Sequence, residues 1–232
     1  MALKSISFLG NKIYAKHKLI SDLVKGKSVV HYGCVDDDAV LIEAKIRKGY
    51  YLHKVITDLS TKCIGVDLNS ELIGYLRDEH GIDNITYGNV EDPASFEKYT
   101  SELKDFEVLM IPDLIEHLNN AGNMLDGIKK YFSPDVKVYI MTPNPCGYLN
   151  FAATLLRKEL YTDYHTFLFT TESMKVLLKR YGFSINRVYP VQVPKERGTF
   201  LVVMDKIISR MFTLLSPGFA DLYMYECTID KH

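Results

Sequence analysis

Residues 105–151 read DFEVLMIPDLIEHLNNAGNMLDGIKKYFSPDVKVYIMTPNPCGYLNF. The apolar run 108–111 is too short for a helix and reads as a buried strand. It leads into a polar turn with Asp113, Glu116 and His117. Spaced i, i+3 and i+4, these three would share one face of a helical turn. A second helix follows, then the turn Ser133-Pro134-Asp135. Residues 136–141 are another apolar strand, ending in Thr142-Pro143-Asn144. Strand, helix and strand, with polar groups at both strand ends, is the unit of an open α/β sheet. Such sheets bind ligands outside the carboxyl ends of their strands.

The same alternation extends in both directions. Upstream, 12–24 carries Ile13, Leu19, Ile20, Leu23 and Val24 along an amphipathic helix. Residues 28–32 are a strand closing on Gly33, 64–67 a second closing on Asp67, and 84–87 a third. Ser70 is the expected N-cap of a helix over 71–80 that stops at Gly81, and Pro93 opens a helix to Leu103. Strands at 107–111 and 136–141 are the fourth and fifth. Downstream, 145–160 is partly helical and 171–181 is a helix stopped by Gly182. Residues 184–191 and 222–229 are the last two strands, with an apolar helix over 199–218 between them. The expected fold is one α/β domain over 1–232. It is a Rossmann-like, seven-stranded, mostly parallel sheet with an antiparallel last strand and helices on both faces. Residues 1–27 would be an N-terminal helix region and 192–219 an apolar helical insertion.

A chain of 232 residues can bury a sizeable single core. Its 47% apolar and 25% charged content is that of a soluble globular protein. A net charge of −1 argues against a protein built to hold nucleic-acid backbone. Cys34, Cys63, Cys146 and Cys227 lie far apart with no CxxC spacing. Neither a zinc nor a disulfide framework is expected, and reduced cytoplasmic thiols are the simpler reading. The N-terminus does not read as a signal peptide, and no run of 18 uncharged apolar residues predicts a membrane span.

The first strand and its turn read SVVHYGCVDDDAV (28–40), where Gly33 lets backbone come close to a ligand. The second strand, IGVDLNSELI (64–73), ends in Asp67. A carboxylate there accepts hydrogen bonds from both hydroxyls of a ribose. Gly33 and Asp67 stand further apart than the roughly 20 residues of a minimal dinucleotide unit. Extra structure over 42–51 is therefore expected before a helix near 53–60. The third strand runs into GNVEDP (88–93).

With IEHL and TPN in 105–151 and DYHTFLFTTESM at 163–174, these segments resemble class I S-adenosylmethionine (SAM) dependent methyltransferases. The resemblance covers about 28–190. It is to the group that includes ubiquinone-biosynthesis O-methyltransferases and glycan-cluster methyltransferases. His31 stands at that family's acidic position, and Val35 and Asp37 where later glycines would be. Two outcomes stay open: a donor held through a modified loop, or a degenerate site. The resemblance implies SAM as cofactor, with S-adenosylhomocysteine as product. It would be bound by His31, Gly33, Cys34, Asp67, Leu68, Asn89, Val90 and Pro112. Asn89 and Val90 would lie along the adenine and His31 near the amino-acid end. Satisfied, buried histidines are the plainer reading of His31 and His53.

Methyl transfer from a sulfonium needs donor and nucleophile aligned within ~3–3.5 Å. A hydroxyl acceptor also needs a proton acceptor within reach, and histidine suits that task. His117 and His165 are the candidate bases. Alternatively, Asp113, Glu116, His117 and His165 hold a divalent metal, as similar spacing does in small-RNA 2′-O-methyltransferases, or they are structural. Asp113 departs from the glutamate of that RNA family. Tyr148, Tyr161 and Tyr164 lie in a lid over 145–170 on the acceptor side and offer ring faces to a sugar. The expected function is O-methylation of a small-molecule or sugar hydroxyl in surface glycan biosynthesis, without a nucleic-acid partner. A metal-assisted RNA 2′-O-methyltransferase and a non-catalytic scaffold are the alternatives. The segment FLVVMDKIISRMFTLLSPGF (200–219) is expected to pack on the sheet or on a second subunit of a homodimer. Peripheral membrane contact through 200–217 is the other reading.

Overall fold

The computed structural model describes residues 12–160, 162–193 and 200–231. Tyr161, residues 1–11 of the N-terminal region and residues 194–199 of the insertion lie outside the described residues. The strands are β1 (Tyr14–Ala15), β2 (Ser28–Tyr32), β3 (Lys62–Asp67), β4 (Ile85–Tyr87), β5 (Val108–Pro112), β6 (Lys137–Pro143), β7 (Phe183–Gln192) and β8 (Leu222–Ile229). They form one sheet in the order β1-β7-β8-β6-β5-β2-β3-β4. Every neighbouring pair is parallel except those of β8, which runs antiparallel between β6 and β7. The expected antiparallel last strand is therefore present, but the sheet has eight strands rather than seven. The addition is β1, which pairs Tyr14 with Val191 and Ala15 with Gln192. Two residues are too few to display the alternation that marks a strand.

The helices are α1 (Lys16–Val24), α2 (Ala39–Arg47), α3 (Leu52–Leu59), α4 (Ser70–His80), α5 (Thr100–Leu103), α6 (Ala121–Tyr131), α7 (Tyr148–Leu155), α8 (Thr171–Arg180) and α9 (Phe200–Leu215). The extra structure expected over 42–51 is largely α2, which Asp38 caps by accepting from the Leu41 N–H at 2.7 Å. Asn69, not Ser70, caps α4, accepting from Leu72 N–H at 3.0 Å. The helix expected from Pro93 to Leu103 is instead a 3₁₀ turn (Pro93–Tyr99) followed by the single turn of α5.

Strand side chains alternate between the two faces of the sheet. Leu109 and Ile111 of β5 meet Leu125 and Ile128 of α6 and Met174 and Leu178 of α8. Val108 and Met110 meet Leu19, Ile20 and Val24 of α1 and Ile56 of α3. Both faces of β5 are thus covered, which is why 108–111 carries no polar residue.

The C-terminal helix does not lay its apolar stripe on the sheet. Ser209 and Thr213 of α9 are buried, whereas Val203, Ile207, Met211, Leu214 and Leu215 are exposed, Met211 at 60% and Leu215 at 79%. The inner hydroxyls are satisfied locally: Thr213 donates to the Ser209 carbonyl at 2.9 Å, and Ser209 Oγ accepts from Gln192 Nε2 at 2.8 Å. Phe212 anchors the helix between Tyr148 and Phe219, with ring centroids 6.0 and 5.1 Å away. Of the two packings expected for the apolar stripe, on the sheet or on a second subunit, the first does not form, and the stripe points outward. No helix among the described residues is long and apolar enough to cross a membrane.

Candidate active site

The chain runs from β2 outward to β3 and β4, then returns to β5 and continues to the other side. The switch point between β2 and β5 opens a crevice at the carboxyl ends of the strands. A cleft of about 690 Å³ lies there. It is lined by His31, Gly33 and the following loop, by Pro112 and Asp113, and by His117, Tyr164 and His165. Gly33 has φ +66°, and a Cβ on it would meet Leu114 Cδ1 at 3.1 Å. A side chain would be strained there in both conformation and space.

The expected donor-site residues divide into two sets. His31, Gly33, Cys34 and Pro112 line the cleft; Asp67, Leu68, Asn89 and Val90 do not. Asp67 sits behind the loop, accepting from Val35 N–H at 2.9 Å and Asn69 N–H at 3.0 Å. Burial raises its pKa, and those backbone donors oppose the rise. Leu68 is exposed, and Val90 is part of the main core. Asn89 is turned to its own loop, accepting from Glu91 N–H at 2.9 Å.

The turn after β5 is not the helical turn its spacing suggests. Asp113 has φ +49°, and only Ile115–His117 form a 3₁₀ turn. Asp113 is drawn away to an ion pair with Lys16 of α1. Glu116, His117 and His165 do come together, with ligand-capable atoms all within 4.8 Å of one another. The strap that brings His165 here is backbone: Thr166 and Phe167 N–H both bond the Glu116 carbonyl, at 2.8 and 3.1 Å. His117 Nδ1 lies 3.0 Å from the Tyr164 carbonyl, and its ring meets His165 edge-on with centroids 4.9 Å apart. A carbonyl only accepts, so Nδ1 carries the hydrogen and Nε2 of a neutral ring keeps its lone pair. Burial, then the neighbouring His117, lowers the His165 pKa. Glu116 is 1% exposed, and neither carboxylate oxygen has a hydrogen-bond partner among the described residues. Burial and then Asp113 raise its pKa to about 7, although the nearby Thr142 hydroxyl favours the charged form.

The expected acceptor residues also separate. Tyr164 is exposed at the rim and lines the cleft, whereas Tyr148 is 2% exposed, donates to Asp205 and packs under α9. Sequence reasoning passed over Lys16, Asp36, Lys45 and Tyr51. Lys45 pairs with Asp36 at 2.5 Å, and Tyr51 donates to the Cys34 carbonyl at 2.8 Å, which fixes the loop after Gly33. The DDD run at 36–38 was the one visible signal, since the partners come from other helices.

A family model described as a methyltransferase domain matches residues 9–188. No protein in a search of curated sequences matches the chain. Among solved structures, a SAM dependent methyltransferase from Archaeoglobus fulgidus aligns with a TM-score of 0.50 at 16% identity, over 92% of this chain and 94% of that one. A putative type 11 methyltransferase from Sulfolobus solfataricus aligns at 0.55 and 10%, over 95% of each chain. A chain from the complex between the Haloferax volcanii Trm112 methyltransferase activator and the putative methyltransferase aligns at 0.57 and 10%, over 93% of this chain and 88% of that one. At those identities the structures speak for the fold, and the family model for membership. The crevice at the β2–β5 switch point is where such a fold holds its ligand. This chain belongs to the methyltransferase-domain family and has the fold of class I SAM-dependent methyltransferases.

Proposed function

We propose that this chain methylates a hydroxyl of a small-molecule or sugar acceptor with SAM as donor, in cytoplasmic steps of surface glycan biosynthesis. In this reading His117 takes the hydroxyl proton. The observation that carries it is the hydrogen bond from His117 Nδ1 to the Tyr164 carbonyl, which leaves Nε2 as an acceptor in the cleft wall. His165, whose pKa is lowered by burial and then by His117, stands beside it as a second acceptor. Tyr164 at the rim offers a ring face to the apolar side of a sugar.

The residues present fit SAM. A cleft of about 690 Å³ is in the ligand-sized range. Asp67 stands outside the lining with its carboxylate held by backbone N–H groups, so the fit rests on the cleft residues and not on a ribose contact from Asp67. Asp37 brings a carboxylate to the cleft, which suits a cationic ligand, while Asp36 and Asp113 in the same lining are paired with Lys45 and Lys16. When bound, SAM supplies an electrophilic methyl on a sulfonium. The chain's part is to align the acceptor and receive its proton.

His117→Ala is expected to lower turnover by about 10²–10⁴-fold while leaving SAM affinity unchanged. The assay is methyl transfer to a panel of nucleotide sugars and oligosaccharides, with calorimetry for SAM. Full turnover in that variant removes His117 as the base. A chain that binds neither SAM nor its demethylated product by calorimetry is the non-catalytic scaffold instead.

The second reading rests on the closeness of Glu116, His117 and His165. A metal-assisted methyltransferase acting on an RNA 3′ end would lose activity to a chelator and regain it with Mn²⁺. The outward stripe of α9 is the surface through which a homodimer or peripheral membrane contact would form. Sedimentation and vesicle flotation, with and without residues 200–217, separate the two.

A further inference from the structure

Along α9, Ile207, Ile208, Met211, Leu214 and Leu215 recur at helical spacing, and all are exposed. Lys206 and Arg210 stand one turn apart on one edge of that stripe. Both are exposed, and neither side chain has an ion pair among the described residues. The one acid of the helix, Asp205, accepts from the hydroxyl of the buried Tyr148. The apolar surface continues onto α7. Phe151 packs on Phe212 with ring centroids 5.9 Å apart, and Leu149, Leu155 and Leu156 around it are exposed. Arg157 and Lys158 follow directly, and both are exposed.

A second cleft, of about 680 Å³, opens beside the basic edge. Lys206, Ser209, Arg210 and Leu215 line it from α9, and Gln192 and Val193 from the end of β7. Val193 also lines the cleft at the switch point, so the two cavities are neighbours. Gln192 Nε2 donates to Ser209 Oγ at 2.8 Å and to the Asp221 carboxylate at 2.5 Å. A carboxylate only accepts, which fixes the amide, and Gln192 Oε1 is buried without a partner among the described residues. This cleft therefore joins two free cations, an unused acceptor and the apolar stripe. A second copy of the chain would meet that face through a two-fold axis, which sets one patch against itself. Against α9 it would bring cations and apolar side chains but no available acid, so Lys206 and Arg210 would be covered without a counter-charge. An anionic bilayer supplies both missing partners, phosphates for the basic edge and hydrocarbon for the stripe. A helix of 16 residues with this pattern lies in the plane of the interface and does not cross it.

We infer that α7 and α9 dock this chain on an anionic membrane surface, with Lys206 and Arg210 holding a lipid phosphate at the second cleft. This deepens the membrane alternative given above for the α9 stripe and sets aside its dimer alternative. Long basic side chains suit the task, because their methylenes lie along the stripe while the charge stays at headgroup level. Gln192 Oε1 offers an acceptor to a headgroup hydroxyl, such as that of phosphatidylglycerol.

The test is flotation of the full chain with vesicles of phosphatidylcholine alone and of phosphatidylcholine mixed with phosphatidylglycerol. Neither SAM nor an acceptor is present, so the outcome is independent of methyl transfer. Binding to the anionic vesicles is expected, weakening as salt rises. Lys206→Gln combined with Arg210→Gln should lower the partition by about 10- to 30-fold. Met211→Gln combined with Leu215→Gln should lower it by about 10-fold or more. All four residues are exposed and lie outside the lining of the switch-point cleft. Thermal melts and calorimetry with SAM are therefore expected to match the native chain in both double variants. A native chain that does not float with anionic vesicles overturns the proposal. Equal binding to both vesicle types, or full binding by the Lys206 and Arg210 double variant, refutes the phosphate contact. A lipid-free dimer that the Met211 and Leu215 double variant dissociates gives the face to a second copy instead.

Discussion

Glu116 shows how one side chain can tie stability to pH. It is buried without a hydrogen-bond partner among the described residues, and burial raises its pKa from 4.5 to about 7. The folded state therefore holds the proton more tightly than the unfolded chain does. The stability linked to that proton is fully present below about pH 4.5 and is lost as pH rises through about 7. Glu116→Gln removes the ionisation and keeps the shape. In chelator, its stability relative to the native chain is expected to be near equal at pH 5. By pH 8 it should lead by up to about 3 kcal/mol. Denaturant midpoints at the two pH values check this, and a gap independent of pH contradicts the buried-acid account. Asp113 teaches a different lesson at the same scale. Its spacing from Glu116 and His117 was visible in sequence, but its positive φ and its pairing with Lys16 were not. The Lys16 partner lies 97 residues away, so no local signal could announce it.

At the scale of elements, patterns repeated over several residues were readable and short ones were not. The all-apolar β5 and the Gly81 stop of α4, with φ +63°, follow directly from residue type. The cap of α4 moved by one residue because Asn69 and Ser70 are both good caps, and only the backbone turn chooses between them. The α9 helix is the larger departure: its apolar stripe was legible, its direction was not. Ser209→Leu is expected to destabilise the chain by about 1–3 kcal/mol through overpacking and loss of the Gln192 bond. Met211→Gln, on the exposed stripe, should stay within about 0.5 kcal/mol in a monomer. Thermal melts of the two variants read the orientation of α9 directly, and the reverse ranking would show that the stripe faces inward.

Across the whole molecule, the sheet order places the cleft where the chain changes direction, so ligand binding and global stability are linked. A ligand that binds only the folded state at 100 times its Kd adds about 2.7 kcal/mol. For a chain of 232 residues that is roughly 5–10 °C in Tm. Saturating S-adenosylhomocysteine is expected to give a rise of that size. A transition that does not move under ligand would deny the cleft its donor.

The sequence by itself determined the alternation of strands and helices, the burial of the central strands and the location of the crevice, while the antiparallel last strand was implied by the family resemblance. These follow from periodicity and from residue-level backbone preference, which act between near neighbours. Only the tertiary structure decided which of the candidate residues face the cleft, which nitrogen of His117 faces a carbonyl, and that Tyr148 serves α9. A proton's position depends on whether a carbonyl, an amide oxygen or another imidazole lies within 3 Å or so. For His117 that atom is the Tyr164 carbonyl, on a segment that only the folded chain brings beside it.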